Sequence, residues 1–546
     1  MIEIIPESAP FNEEQRAWLN GFLAGWLAVP SGDQLPVNRI ATFLDSPATT
    51  ASDDQPSGPS TAPAEHEEFP WHDPTLPLEE RLRLATDRPL SRRLMSAMAQ
   101  LNCGACGYLC KTYSEALANG NEANPSLCSP GGRETAKAIK RILKDEQPTT
   151  SDVYQASIKP IATTDSAAGP NTPPLHVATL KSTCRLNAPG SDKHTTHVVI
   201  DVAHTSLTYR VGDSLGVLPS NCPELVANLV SALGSHADAP MVRRDGAPAT
   251  LADVLKNDCD LHEITDALIQ LLLEQTITEE GRNGLKAFAN DESHEGLHRE
   301  DMDVLDILTA CACYVPVDRF VTALAALRPR LYSISSSPAA HPHEVHLTVG
   351  RVTNQLRGRE RKGVASTMLA DRVVCGDQLR IFVHASNTFT VPADAQTPMI
   401  MIGPGTGIAP FRAFLQEREI VARSGISIGP SWLFFGDRSE EYDYLYRDEL
   451  EGLLDRGVLT RLDTAFSRDQ PQKIYVQHRM LEHGGQLMEW LRHGAYLYVC
   501  GDARRMALDV DQALHDIVDQ HTPSDVKAAS FVAELKRQGR YLRDVY

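Results

Sequence analysis

Basic residues are in short supply: 52 Lys and Arg stand against 71 Asp and Glu, a formal net charge of −19. No basic stripe offsets that deficit, so a nucleic-acid partner is not expected, because phosphate backbones are held by clustered cations. Long apolar runs are also missing. The opening MIEIIPESAPFNEEQ has no basic stretch leading into an apolar one, and the run Phe22–Val29 is far too short to span a bilayer. A soluble, cytoplasmic protein with no membrane partner is expected. Disulfides are not expected either, because eleven cysteines make an odd count in a chain without a leader pattern.

What is present is enough for several cores. A chain of 546 residues with 42% apolar content accommodates roughly two to four domains. Residues 1–30 read as an N-terminal helix with Phe11, Trp18, Phe22 and Trp26 on its apolar side, suited to packing on a partner or on the rest of the chain. Residues 31–89 contain a Pro-, Ser-, Thr- and acid-rich stretch without periodicity and read as a disordered linker. A second linker is expected over 146–172.

Between the linkers, residues 90–145 form a compact unit in which four of the eleven cysteines fall within one short stretch: Cys103, Cys106, Cys110 and, further on, Cys128. Three close thiolates and a remote fourth, on Gly-rich backbone that can donate N–H groups to sulfur, suit four-cysteine iron–sulfur ligation, with a [4Fe–4S] cluster preferred. Structural zinc takes four thiolates too, usually as two CxxC pairs, and unliganded cysteines are the third reading. The segment resembles the small iron–sulfur domains of redox complexes with a CGxCGxxxC…CxPGG pattern, one residue shorter between the second and third cysteine.

Downstream, residues 173–395 read as an antiparallel barrel interrupted by a helical insertion at about 222–327. On the strand RLYSISSSP, alternation puts Arg330, Tyr332 and Ile334 on one face. A cation, a ring and neighbouring hydroxyls suit a phosphate, a flat ring system and its edge. A polar barrel strand with a surface Arg is the plainer alternative. Gly363-Val364-Ala365-Ser366-Thr367, a small-residue turn into a helix start, is an anion seat. Two phosphate seats and a ring platform describe FAD.

Residues 396–546 open with a short apolar strand, a turn containing Gly403, Gly405 and Gly407, and an amphipathic helix repeating Phe411, Phe414 and Leu415. Such a turn lets backbone approach a pyrophosphate, although glycine clusters also serve plain strand-to-helix turns. Two strands later, Ser467 and Arg468 precede Lys473, Tyr475 and Gln477. A hydroxyl, a guanidinium and an ammonium beside a ring match a 2′-phosphate, which favours NADPH over NADH.

The ordered set RLYSISSSP, GVASTMLADRV, MIGPGTGIAPFRAFLQER, WLFFGDRSEEYDYLY, SRDQPQKIYVQ, YVCGDARRMALDV and YLRDVY resembles the ferredoxin-NADP reductase-like half of the diflavin reductases. Within them it is most similar to the flavoprotein subunits of NADPH sulfite reductase. The resemblance implies an α+β and α/β architecture: an antiparallel FAD barrel, then a parallel NADP-binding domain. It assigns Arg330, Tyr332, Ser333 and Ser335 to FAD, with Gly363 to Thr367 on its pyrophosphate. Gly403, Gly405, Thr406 and Gly407 fall on the nicotinamide-side pyrophosphate, and Ser467, Arg468, Lys473, Tyr475, Gln477 and Asp509 on the rest of the nucleotide. Ser333, Cys500 and Asp544 would line the hydride-transfer site, with Tyr546 stacked on the flavin. It further implies a sirohaem-bearing sulfite reductase subunit as partner, another redox protein being the alternative. Ahead of His176 no alternating strand–helix series or phosphate loop is visible, so FMN is not expected, and the four-cysteine unit stands in its place as a one-electron carrier.

Overall fold

A computed structural model describes residues 71, 76–100, 108, 110–120, 122, 125–128, 131–145, 174–289, 301–311, 313–386, 388–523 and 527–546. The expected N-terminal helix, the second linker, and Cys103 and Cys106 lie outside the described residues. The strands run, in chain order, β1 (His176–Arg185), β2 (Thr195–Asp201), β3 (Ser214–Val217), β4 (Pro240–Val242), β5 (Pro248–Thr250), β6 (Arg330–Ser333), β7 (Glu344–Gly350), β8 (Thr353–Leu356), β9 (Arg359–Lys362) and β10 (Gln378–His384). After them come β11 (Met399–Ile402), β12 (Ser431–Asp437), β13 (Arg461–Phe466), β14 (Tyr496–Gly501) and β15 (Tyr541–Val545).

The first sheet is antiparallel, in the order β6-β3-β10-β1-β2-β7. A bridge from Ile334 to Leu347 joins its two edges, which closes the barrel. Every second residue of its strands points inward, as a pleat requires: Ala178 and Leu180, Val198 and Ile200, Leu215 and Val217, and Val345, Leu347 and Val349 share one core. The neighbours β3 and β6 are far apart in sequence, because a helical insertion with its own core leaves after β3 and returns at β6. Two of its helices start on threonines whose side chains accept from the chain, Thr250 from Asp253 N–H and Thr265 from Leu268 N–H. Such caps satisfy amides that the helix itself leaves open.

The second sheet is parallel, in the order β13-β12-β11-β14-β15. Its apolar runs are buried on both faces, which is why MIMI and WLFF show no polar alternation. Ile400, Ile402, Trp432 and Phe434 face one core, and Met399, Met401, Leu433 and Phe435 the other. Helix Ala409–Arg423 fills the second core with Phe411, Phe414 and Leu415, each fully buried. Each such side chain contributes about 1.5–3 kcal/mol by leaving water.

The four-cysteine unit packs helices Leu90–Ala97, Cys110–Ala118 and Gly132–Asp145 around Leu94, Met95, Tyr113 and Ile139. A helix lies earlier in the chain than expected. Within the stretch read as linker, Leu78–Leu84 is a helix, Leu78 and Leu82 pack on this same core, and Arg81 donates to Met98 O. Trp71 is fully buried as well. The unit touches the helical insertion through Lys140 and Asp266, 2.9 Å apart, and through Arg328, which donates to Ser126 O at 3.2 Å.

Candidate active site

In a parallel sheet, ligands bind at the carboxyl ends of strands where the order reverses. Here that point lies between β11 and β14, and the glycine turn leaves the end of β11. Gly407 passes so close to β14 that an added Cβ would stand 2.1 Å from Cys500 O, and at Gly403 one would stand 2.5 Å from Gly407 O. Gly405 has φ +58°, a conformation that side chains with a Cβ seldom adopt. The turn is thus held open as backbone.

Cys500 follows on β14, where it pairs in register with Asp544 of β15. Ser333, the last residue of β6, donates to Asp544 Oδ2 at 2.6 Å, and the Cys500 thiol approaches the same oxygen at 3.8 Å. Burial raises the Asp544 carboxyl above its usual range, against the lowering effect of Ser333 and Cys500. Burial, and then the Asp544 charge, push the Cys500 thiol well up. Cys500 therefore stays a neutral S–H near pH 7, a donor and not a thiolate nucleophile.

The last residue closes this group. Tyr546 N donates to Gly501 O at 3.1 Å, Ala503 N donates to Tyr546 O at 3.0 Å, and the Tyr546 hydroxyl lies 2.7 Å from Thr406 Oγ1. The residue as a whole is 57% exposed. The carboxyl end of the chain is thus fixed by backbone while its ring borders the cleft.

The other expected contacts divide. Gly363 O accepts from Thr367 N at 3.0 Å and from Thr367 Oγ1 at 2.8 Å, and Val352 N donates to Ser366 Oγ at 3.2 Å, so both hydroxyls of this seat are already engaged. Val364 and Ala365 are buried beside them, leaving backbone as what the seat offers. A cavity of about 270 Å³ bordered by Asn228, His262, Arg361 and Lys362 adjoins it. Arg330 is held by Arg328 O at 2.8 Å and lies 3.7 Å from Asp260, with Tyr332 half-buried two residues on. Ser335 is not in this group. It is fully buried in the seam between the sheets, where its carbonyl accepts from Arg412 at 2.7 Å.

At the end of β13, Ser467 N donates to Asp437 O at 3.0 Å and Arg468 N to Arg438 O at 2.7 Å. Lys473 and Tyr475 are exposed nearby in sequence, and Gln477 donates to Asp509 at 3.1 Å, so these two candidates bind each other. Two further cations sit at this edge without any local sequence signal. Lys193, from the β1–β2 connection, reaches Asp437 at 2.5 Å, and its Nζ would lie 3.6 Å from a Cβ on Gly405. Arg438 directly follows β12.

The seam that sets the two sheets against each other is polar. Arg412 donates to Glu449 at 2.7 Å and to His346 Nδ1 at 3.2 Å, and lies 4.8 Å over the Tyr446 ring. Tyr446 in turn meets His197 at 2.9 Å and Thr348 at 2.7 Å. His346 does not lie in the loop that carries His341 and His343. It is buried on β7 instead, and the ligand atoms of His341, Glu344 and His346 lie within 4.8 Å of one another. Arg412 decides what they do. A guanidinium only donates, so His346 Nδ1 accepts and Nε2 keeps its proton for Glu344, 2.8 Å away. With that nitrogen protonated, His346 links Arg412 to Glu344 by hydrogen bonds and has no lone pair left for a metal.

Comparison with known proteins agrees with this architecture. Residues 173–368 match the FAD binding domain and residues 401–512 the oxidoreductase NAD-binding domain. The chain is 40% identical over 416 residues to the sulfite reductase [NADPH] flavoprotein alpha-component of Aliivibrio fischeri, covering 76% of this chain and 67% of that protein. It belongs to that family. The corresponding proteins of Bacillus subtilis and Vibrio cholerae are 42% and 39% identical, over 66% and 76% of this chain. The chain spans 59% and 66% of the length of these two relatives. Among the described residues, no helix is long and apolar enough to cross a membrane.

Proposed function

We propose that this protein is an NADPH-dependent flavoprotein reductase that delivers electrons through FAD, and through an iron–sulfur centre on its four-cysteine unit, to a sulfite reductase haemoprotein that reduces sulfite to sulfide. The observation that carries this reading is the convergence of Ser333, Cys500 and Asp544 on one carboxylate oxygen beside the nucleotide turn. Three strands from two sheets must meet for it.

The residues present fit the groups implied. Gly403 and Gly407 pack the turn against its own helix and the neighbouring strand where no Cβ fits, and Gly405, at φ +58°, leaves backbone facing outward, as close approach to a pyrophosphate needs. Arg330 and the Gly363 turn would hold the FAD phosphates, and Tyr332 the ring. Ser467, Arg468, Lys473 and Tyr475 would hold the 2′-phosphate, which commits the site to NADPH. Cys110 and Cys128 are buried in one apolar cluster, and Ala99 N–H points at Cys128 Sγ from 3.5 Å, the N–H-to-sulfur contact a thiolate ligand uses. With Cys103 and Cys106 they would complete a Cys₄ set.

Bound here, a reduced pyridine nucleotide and a flavin would supply hydride chemistry, and a cluster single-electron transfer. The protein's part is positional. Asp544 fixes the Ser333 hydroxyl and the Cys500 S–H on the cleft wall, where the neutral thiol would add no charge beside a hydride acceptor, and Tyr546 would cover a flavin bound there and would have to move aside for nicotinamide. Oxygen-free purification followed by iron, sulfide, FAD and FMN analysis tests the cofactor set. Reconstitution with a sirohaem subunit, scored as NADPH-driven sulfide formation, tests the acceptor. NADPH oxidation with ferricyanide but no sulfide in that mixture favours the second reading, a reductase for another redox protein, to which the four-cysteine front end already points.

A further inference from the structure

The β1–β2 connection belongs to the barrel but is fastened to the nucleotide-binding sheet. Ala188 N donates to Tyr442 O at 2.9 Å, Asn187 donates to Asp443 at 2.8 Å, Ser191 donates to the same carboxylate, and Lys193 reaches Asp437 at 2.5 Å. Between the last two anchors the loop presents Asp192. Its carboxylate lies 2.9 Å from the Arg468 guanidinium and 3.9 Å from that of Arg438. Asp192 is 71% exposed and Arg468 51%.

We propose that Asp192 is an internal stand-in for the 2′-phosphate of the pyridine nucleotide: a carboxylate carried on the barrel that occupies Arg468 and Arg438 and yields them when the cofactor's phosphate arrives. The inference rests on Arg468 reading that phosphate. Guanidinium groups pair with carboxylate and phosphate through the same planar fork, so the two anions compete for one set of donors. The exchange is one-sided in charge, because a phosphate monoester near pH 7 carries close to two negative charges and a carboxylate one. It is also cheap, since an exposed ion pair contributes little. A nucleotide without the 2′-phosphate does not need these guanidinium groups and leaves Asp192 in place, so the contact weighs only on binding of the phosphorylated cofactor. The displacement also releases one of the ties between barrel and nucleotide sheet, while Asn187, Ser191 and Lys193 keep the loop in place.

The test uses the full-length holoprotein and two probes, 2′,5′-ADP and 5′-AMP, titrated calorimetrically at low and high salt. Asp192→Asn is expected to bind 2′,5′-ADP about two- to fivefold tighter at low salt, with 5′-AMP unchanged and the gain shrinking at high salt. Unchanged or weaker 2′,5′-ADP binding by Asp192→Asn overturns the proposal. Arg468→Ala keeps the two readings apart: if it does not weaken 2′,5′-ADP binding, the assignment of Arg468 to the 2′-phosphate falls. If it does weaken it while Asp192→Asn has no effect, only the role of Asp192 falls, and the pair is an ordinary surface salt bridge.

Discussion

Ser333 and Asp544 share a hydrogen bond of 2.6 Å across 211 residues of chain. One ends a barrel strand and the other lies on the last strand of the parallel sheet, so the bond exists only when both modules are folded and docked. Arg412, on the helix that follows the glycine turn, ties the same two modules through Ser335 O and His346.

Removing the Ser333 hydroxyl leaves Asp544 buried with, among the described residues, the Cys500 thiol at 3.8 Å as its remaining side-chain donor. Ser333→Ala is expected to slow flavin reduction by NADPH about 100-fold, the cost of a small misplacement of reacting groups, while NADP⁺ affinity stays within about twofold, since no nucleotide contact is removed. Stopped-flow absorbance of the bound flavin measures the first, and equilibrium titration the second.

The bond between Tyr546 and Thr406 ties the ring at the chain end to the nucleotide turn. Tyr546→Phe keeps the ring and loses the bond, worth about 1 kcal/mol. NADP⁺ should then bind up to about fivefold tighter, because less is spent moving the ring aside. Weaker binding would instead show that the hydroxyl itself contacts the nucleotide.

Acid should loosen the seam. Burial first, then Arg412, hold His197 down at about 3. Burial, against the Glu344 hydrogen bond and with Arg412 and His341 adding, holds His346 down at about 4. In the unfolded chain both take protons below about 6.5, so the unfolded state binds more protons in this window. Stability from these groups is complete above pH 6.5 and is lost as pH falls through 4 and then 3. Glu344, held at about 2 by Lys181 and then His346, adds a loss that begins below about 4.5. Thermal unfolding followed from pH 7 to 4 should show a falling midpoint, and His346→Gln should flatten that fall.

Cys128→Ser should abolish iron and acid-labile sulfide while leaving FAD at one per chain. Cys110→Ser should do the same, because both sulfurs sit in one buried cluster. Zinc in the parent protein, or iron retained by both variants, would sink the cluster.

Much of this molecule is local enough to be legible in one dimension. The period-two strands of the barrel, the unbroken apolar strands of the parallel sheet and the glycine turn each follow from residues a few positions apart. So does the crowding of Cys103, Cys106, Cys110 and Cys128. Helix Leu78–Leu84 escaped notice because seven residues carry too few periodic positions to stand out beside a Pro-rich stretch. Tertiary structure alone decided the rest. Asp192 and Lys193 reach Arg468 and Asp437 across 276 and 244 residues, and Arg412 reaches His346 across 66. Charged side chains on loops leave no periodic trace, and which cation meets which anion depends on how two separately folded sheets come to rest against each other.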